Sequence, residues 1–175
     1  MTRPTQNCPS MKLIKAKLLL FGVLVFLSIG CDRVTKDLAR QHLAGKEMRS
    51  YLSDTFRLAY VENPGAAMSL GAEWAPRAKF WVLSVIPAGV LLLVLAFALV
   101  NSARMSMAQL TGFGLVFSGG FGNLFDRFFN DNLVPDFLNV GVSSFRTGIF
   151  NVADLCISAG MLLILVFYRK KGMRA

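Results

Sequence analysis

The chain has 175 residues, 54% hydrophobic and only 17% charged, with a formal net charge of +9. A soluble domain carries about a quarter charged residues, and here the apolar residues come in long blocks, so the composition points to the bilayer as solvent. Three scattered cysteines (Cys8, Cys31, Cys156) and a lone His42 offer no metal or thiol constellation, and no metal or cofactor is expected.

Residues 1–12 are polar and contain Pro4 and Pro9; they read as a disordered N-terminal extension, with Met11 as an alternative start. The first apolar block is Leu13–Cys31, preceded by Lys12 and containing Lys15 and Lys17. With Gly30 just before Cys31, this block alone looks like the start of a lipoprotein precursor. Three further apolar blocks argue for an uncleaved membrane span instead, and the fate of Cys31 stays open. In "DRVTKDLARQHLAG", Val34 and Leu38 lie four apart, so the helix is expected to continue as an amphipathic extension that Gly45 can stop.

The segment 46–77 follows. Phe56, Leu58 and Tyr60 alternate with Arg57 and Ala59, the pattern of a half-exposed strand, and "ENPG" closes it with a turn. Phe80–Val100 is a second span; roughly 20 apolar residues suffice to cross a bilayer. Met107–Gly122 is shorter and glycine-rich, and is expected to run on through "NLFDR". Its Gly114, Ser118 and Gly122, at steps of four, make a small-residue stripe suited to close helix packing. A second outer segment, 123–148, holds "NLVPDFL". Ile149–Tyr168 is the fourth span, and 169–175 is a basic tail.

With four spans, both termini and the 101–106 link share one side. That side carries Arg3, Lys12, Lys15, Lys17, Arg104, Arg169, Lys170, Lys171 and Arg174 and no acid, so the whole positive excess lies there. Such asymmetry marks the cytoplasmic side. The basic charge is thus a topology signal and does not point to nucleic acid.

Polar residues gather at the outer ends of the spans, and an ionisable group at membrane depth is costly enough to be a functional candidate. Asn151 and Asp154 are spaced to cap the fourth span reciprocally, which would be their whole role in a purely structural reading. Asp136, in "VPDFL", reads either as a loop acid or as a partner for Asp154. Two carboxylates meeting in a low-dielectric site share one proton and can serve as base and acid on a water and a carbonyl. Neither Asp-Thr-Gly nor Gly-x-Gly-Asp is present; "GFGN" has Asn123 in the latter's acidic position. Asn123 and Arg127 fall on one helical face, able to hold a substrate backbone or a carboxylate, while Asp126 and Arg127 read equally well as a rim pair anchoring the helix end. Asn63 and Gly65 form a turn, and Asp32 with Lys36 reads as an ion pair on the helix surface. A proton-coupled transporter would use the same residue types, but spread through the membrane depth.

Five motifs occur in order: "DRVTK", "ENPGAAMS", "GGFGNLFDR", "VPDFL" and "FNVAD". Together they resemble the lipoprotein signal peptidase family, type II, from Lys12 to Arg169. The resemblance implies an all-α membrane protein, a four-transmembrane-helix bundle with a small extracytoplasmic β-cradle, in the bacterial inner membrane with both termini cytoplasmic. It implies an aspartic endopeptidase that cuts diacylglyceryl-modified prolipoproteins before the lipidated cysteine, with Asp136 and Asp154 as the catalytic pair. Asn63, Gly65, Asn123, Arg127 and Asn151 would bind substrate or position the pair, while Asp32, Lys36 and Asp126 would be structural or line the rim. Expected partners are the prolipoprotein, membrane lipid and cyclic peptide inhibitors of the globomycin type, with the enzyme a monomer.

Overall fold

The structure is a computed structural model describing residues 10–66 and 69–172, with 168–172 given by backbone alone. Most of the expected N-terminal extension, the end of the basic tail, and Ala67 and Met68 of "ENPGAAMS" lie outside the described residues.

The first apolar block and its amphipathic extension form one helix, α1 (Met11–Leu43), 33 residues long. Ser10 caps its start, accepting a hydrogen bond from Leu13 N (3.4 Å), and Gly45, at φ 69°, takes the left-handed conformation that ends it. Strands β1 (Arg49–Tyr51) and β2 (Phe56–Asn63) follow. Helix α2 runs from Pro76 to Asn101, starting earlier than Phe80, and contains a π-helical turn at Trp81–Val85. Pro87 has no N–H and its ring would crowd the carbonyl of Leu83; the wider turn relieves that clash.

Helix α3 (Met107–Phe129) runs through "NLFDR" as expected. It opens with a capping box: Gln109 N donates to Ser106 Oγ (3.2 Å), and Ser106 N to Gln109 Oε1 (3.0 Å). Strands β3 (Val134–Val142) and β4 (Phe145–Arg146) lead to α4 (Val152–Gly172). Ile149 and Phe150 do not belong to the last helix. Phe150 is extended and pairs with Leu138, each N–H bonding the other's carbonyl at 2.8 Å.

The sheet is antiparallel in the order β1-β2-β3-β4. Val61 lies opposite Asp136 and Asn63 opposite Val134, with a bulge between Leu58 and Val61. Side chains alternate across β3. Phe137 turns toward α1 and packs with Ala39 and Leu43, whereas Val134 and Asp136 face a cavity on the other side.

Helix α3 is the hub, and small residues let its neighbours approach on three sides. A Cβ on Gly112 or Gly119 would collide with the backbone carbonyl of Gly160 or Ala153 on α4. One on Gly114 would meet Phe21 and Leu24 of α1, and one on Gly120 would meet Leu91 of α2. Gly114 and Gly122 of the stripe read from sequence therefore face α1, Gly122 meeting Asp32, and a second set, Gly112 and Gly119, makes the α4 contact. At the far end from the sheet, Phe21, Ala98, Met105 and Leu110 form a second buried cluster. Beside it the buried Lys17 Nζ donates to the carbonyl of Met105 (2.7 Å).

Of the described helices, α1 and α2 are each long and apolar enough to cross a membrane, and Val152–Phe167 is a shorter apolar helix. A mostly helical chain with a small antiparallel sheet agrees with the expected helices-plus-sheet arrangement.

Candidate active site

Asp136 enters from β3 and Asp154 from the first turn of α4. Both line one cavity of about 650 Å³, bounded by α2, α3, α4 and the sheet and walled mainly by apolar side chains. Asn63, Asn123, Arg127 and Asn151 line it too. Gly65 is buried in the turn beneath.

Three asparagines hold the two carboxyl groups. Asp136 Oδ2 accepts from Asn63 Nδ2 (2.9 Å) and its Oδ1 from Asn151 Nδ2 (2.6 Å). Asp154 Oδ1 accepts from Asn123 Nδ2 (2.9 Å) and its Oδ2 from the backbone N–H of Asn151 (3.0 Å). Asn151 completes a reciprocal cap, its Oδ1 accepting from Asp154 N (3.1 Å). It is wholly buried and touches both acids, so the cap and the carboxyl pair coexist. Burial pushes the Asp136 carboxyl up to about 6, and the charge of Asp154 pushes the same way. The amide donors of Asn63 and Asn151 and the charge of Lys36 oppose it.

The "ENPG" turn is built by side-chain mimicry: Gly65 N donates to Asn63 Oδ1 (2.9 Å). A Cβ on Gly65 would lie 2.5 Å from the backbone of Ser69, so only glycine fits. The Gly65 carbonyl accepts from Arg127 Nη2 (2.6 Å). Arg127 thus turns to the cavity, and its other terminal nitrogen, Nη1, is buried without a hydrogen-bond partner.

Asp126 does not pair with Arg127, contrary to the rim-pair reading. It faces α1, where Arg33 meets it through Nη1 on Oδ1 (2.5 Å) and Nη2 on Oδ2 (2.8 Å). Lys36 Nζ donates to Asp126 Oδ2 (2.7 Å) and to Asp32 Oδ2 (2.8 Å). Asp32 and Lys36 are 1% and 3% exposed, so they are not a helix-surface pair. They sit in a buried cluster of two acids and two bases directly behind the cavity wall. Arg33 is the member that sequence reasoning missed. Its signal was the crowding of three charges into "DRVTK" against an apolar block, a placement that demands partners.

Among the described residues, no three His, Cys, Asp or Glu side chains are arranged to hold a metal ion.

The cavity can do one kind of chemistry directly. Two carboxyl groups on one apolar-walled hollow, one with a raised pKa, can hold a water between them and protonate an oxygen opposite. Amide and guanidinium donors beside them suit a peptide backbone.

The chain is similar to known proteins along most of its length. The sequence profile of the signal peptidase (SPase) II family matches residues 24–169. The lipoprotein signal peptidase of Treponema denticola is 36% identical over 163 residues, covering 87% of this chain and 92% of the relative. That of Chlorobaculum tepidum is 35% identical over 160 residues, covering 86% and 94%. A bacterial membrane enzyme solved by the in meso method shares the fold, with a TM-score of 0.74 at 21% identity over 87% of this chain and 89% of that one.

Proposed function

The chain belongs to the signal peptidase II family, and on that premise we propose that it is a membrane-embedded aspartic endopeptidase that removes signal peptides from prolipoproteins. It cuts on the amino side of a diacylglyceryl-modified cysteine, with Asp136 and Asp154 activating water. Family membership makes the chain a protease of signal peptides. The observation that supports the aspartic mechanism is that two carboxyl groups, from β3 and α4, line one cavity with asparagine donors on each.

In the proposed reaction the substrate's acyl chains remain in the bilayer and its signal segment enters beside the helices. Asn63, Gly65, Asn123, Arg127 and Asn151 hold the backbone or the acids. The pair carries one proton. One carboxylate takes a proton from water as its oxygen bonds to the scissile carbonyl carbon, and the other acid protonates the carbonyl oxygen, giving a gem-diol. Collapse breaks the C–N bond, and a proton passes to the departing amine of the lipidated cysteine. A single copy of the chain holds both acids, which fits a monomer.

The two long apolar helices support a membrane protein, and the four apolar blocks of the sequence, with the one-sided excess of Lys and Arg they produce, support four spans in the inner membrane. In that arrangement both termini are cytoplasmic and the cavity opens at the extracytoplasmic face.

The test is a gel-shift assay on purified protein in lipid with a diacylglyceryl-prolipoprotein. The expected product starts at the lipidated cysteine, as mass spectrometry would read it, and globomycin-type peptides block its formation. Equal cleavage of the unlipidated precursor, or no cleavage at all, would overturn the proposal.

A further inference from the structure

The geometry points to Lys36 as a positioning residue for Asp154, acting through Asn123 from the buried cluster behind the cavity. This rests on the reading of Asp154 as half of the catalytic pair.

An ammonium has three N–H donors, and all three of Lys36 are used. Two go to Asp32 and Asp126. The third goes to Asn123 Oδ1 at 3.0 Å, and that same oxygen accepts from Asn151 Nδ2 (3.1 Å). Two donors on the carbonyl end leave the Asn123 amide one orientation. Its NH₂ must point the other way, where Nδ2 donates to Asp154 Oδ1 (2.9 Å). If Lys36 lost its charge or reach, the amide could turn over and present an oxygen to the carboxylate.

Lys36 reaches the same helix turn by a second route. It holds Asp32, whose Oδ1 accepts the backbone N–H of Ala153 (3.1 Å), the residue before Asp154. Gly122 lets this happen, since a Cβ there would lie 2.6 Å from Asp32 Oδ2. Arg33 balances the charges: Asp32 and Asp126 face Arg33 and Lys36, so the cluster is neutral and Lys36 is not fully consumed by Asp126. Around Lys36 the charged groups are Asp32 and Arg33 of α1, Asp126 of α3, Asp136 of β3 and Asp154 of α4, with Asp37 and Arg40 at the open side.

The experiment compares Lys36→Met with the double variant Lys36→Met/Asp126→Asn, which restores neutrality to the cluster, and with Asp126→Asn alone. Thermal unfolding, kcat and KM are read on each in lipid with the lipidated precursor. The expected result is that Lys36→Met lowers kcat about tenfold to a hundredfold with little change in KM. The double variant should recover the unfolding temperature without recovering kcat. In Lys36→Met the pH–rate limb governed by Asp136 should also move to higher pH, because a nearby cation is gone. Recovery of kcat along with stability in the double variant would overturn the inference, since Lys36 would then be only a counter-charge. So would an unchanged kcat in Lys36→Met. Full activity in Asp154→Asn would instead overturn the catalytic pair itself, which separates the two failures.

Discussion

Asn151 makes more hydrogen bonds within the site than either acid does. Its amide donates to Asp136 and to Asn123, its carbonyl oxygen caps Asp154 N, and its own N–H reaches Asp154 Oδ2. Asn151→Ala should lower turnover about a hundredfold and remove an N-cap worth about 1 kcal/mol, to be read as kcat and as thermal unfolding in detergent. Asp136 gives a pH signature. Its carboxyl titrates at about 6 in the fold against 3.8 ordinarily, so the folded state favours its protonated form. Stability from this group is present at low pH and is lost as pH rises through about 6. The unfolding temperature of the wild type should therefore fall across that window, and Asp136→Asn should flatten the change. A steeper fall in the variant would contradict the assignment. At this scale the polar residues were legible as a set, because charge near a membrane is conspicuous. Two pairings were legible as well, the Asn151–Asp154 cap and Asp32 with Lys36, but that of Asp126 was not. Nothing in the letters distinguishes Asp126 turned toward Arg33 from Asp126 beside Arg127; only the packing of α1 on α3 decides it.

Elements were legible where a single periodicity ruled. The apolar blocks became helices, apart from Ile149 and Phe150 at the head of the fourth, and the Gly45 stop and strand β2 formed where expected. Strand β3 was not foreseen, because "VPDFLNVGV" has proline and aspartate at its second and third positions, both poor strand formers. It forms because β2 pairs with it and Phe137 buries against α1, a tertiary gain that outweighs local preference. That strand is what aims Asp136 at the cavity rather than leaving it in a loop. The α3–α4 contact makes a prediction at the same scale. Gly119→Val puts carbon where the Ala153 carbonyl sits, beside Asp154, and should lower both the unfolding temperature and turnover. Gly89→Ala is the control: a Cβ there meets nothing within 4 Å, and the variant should match or slightly exceed the wild type in stability. Equal behaviour of the two would show that close helix approach is not what holds α4.

At the scale of the whole molecule, the cavity lies where the sheet meets the helices. The buried Lys17, tied to the Met105 carbonyl, marks the opposite end. The proposed topology predicts opposite labelling at two exposed sites. In a chain whose native cysteines are replaced, Ser53→Cys should react with a membrane-impermeant thiol reagent added outside, and Arg104→Cys should react only after permeabilisation. The reverse pattern would invert the topology and put the cavity on the wrong face for exported precursors. The apolar blocks and the charge asymmetry could be read from the chain alone. The shape of the cavity could not, since it is made by the gap between α2 and α4, and no local pattern encodes a gap. The central claim is that Asp136 and Asp154 together cleave the precursor. Its most direct test is single-turnover cleavage of the lipidated prolipoprotein by Asp136→Asn and by Asp154→Asn, each confirmed as folded in lipid. The account predicts that each falls on the order of a thousandfold or more, with the double variant hardly lower than either. Turnover near the wild-type rate in either single variant would contradict it.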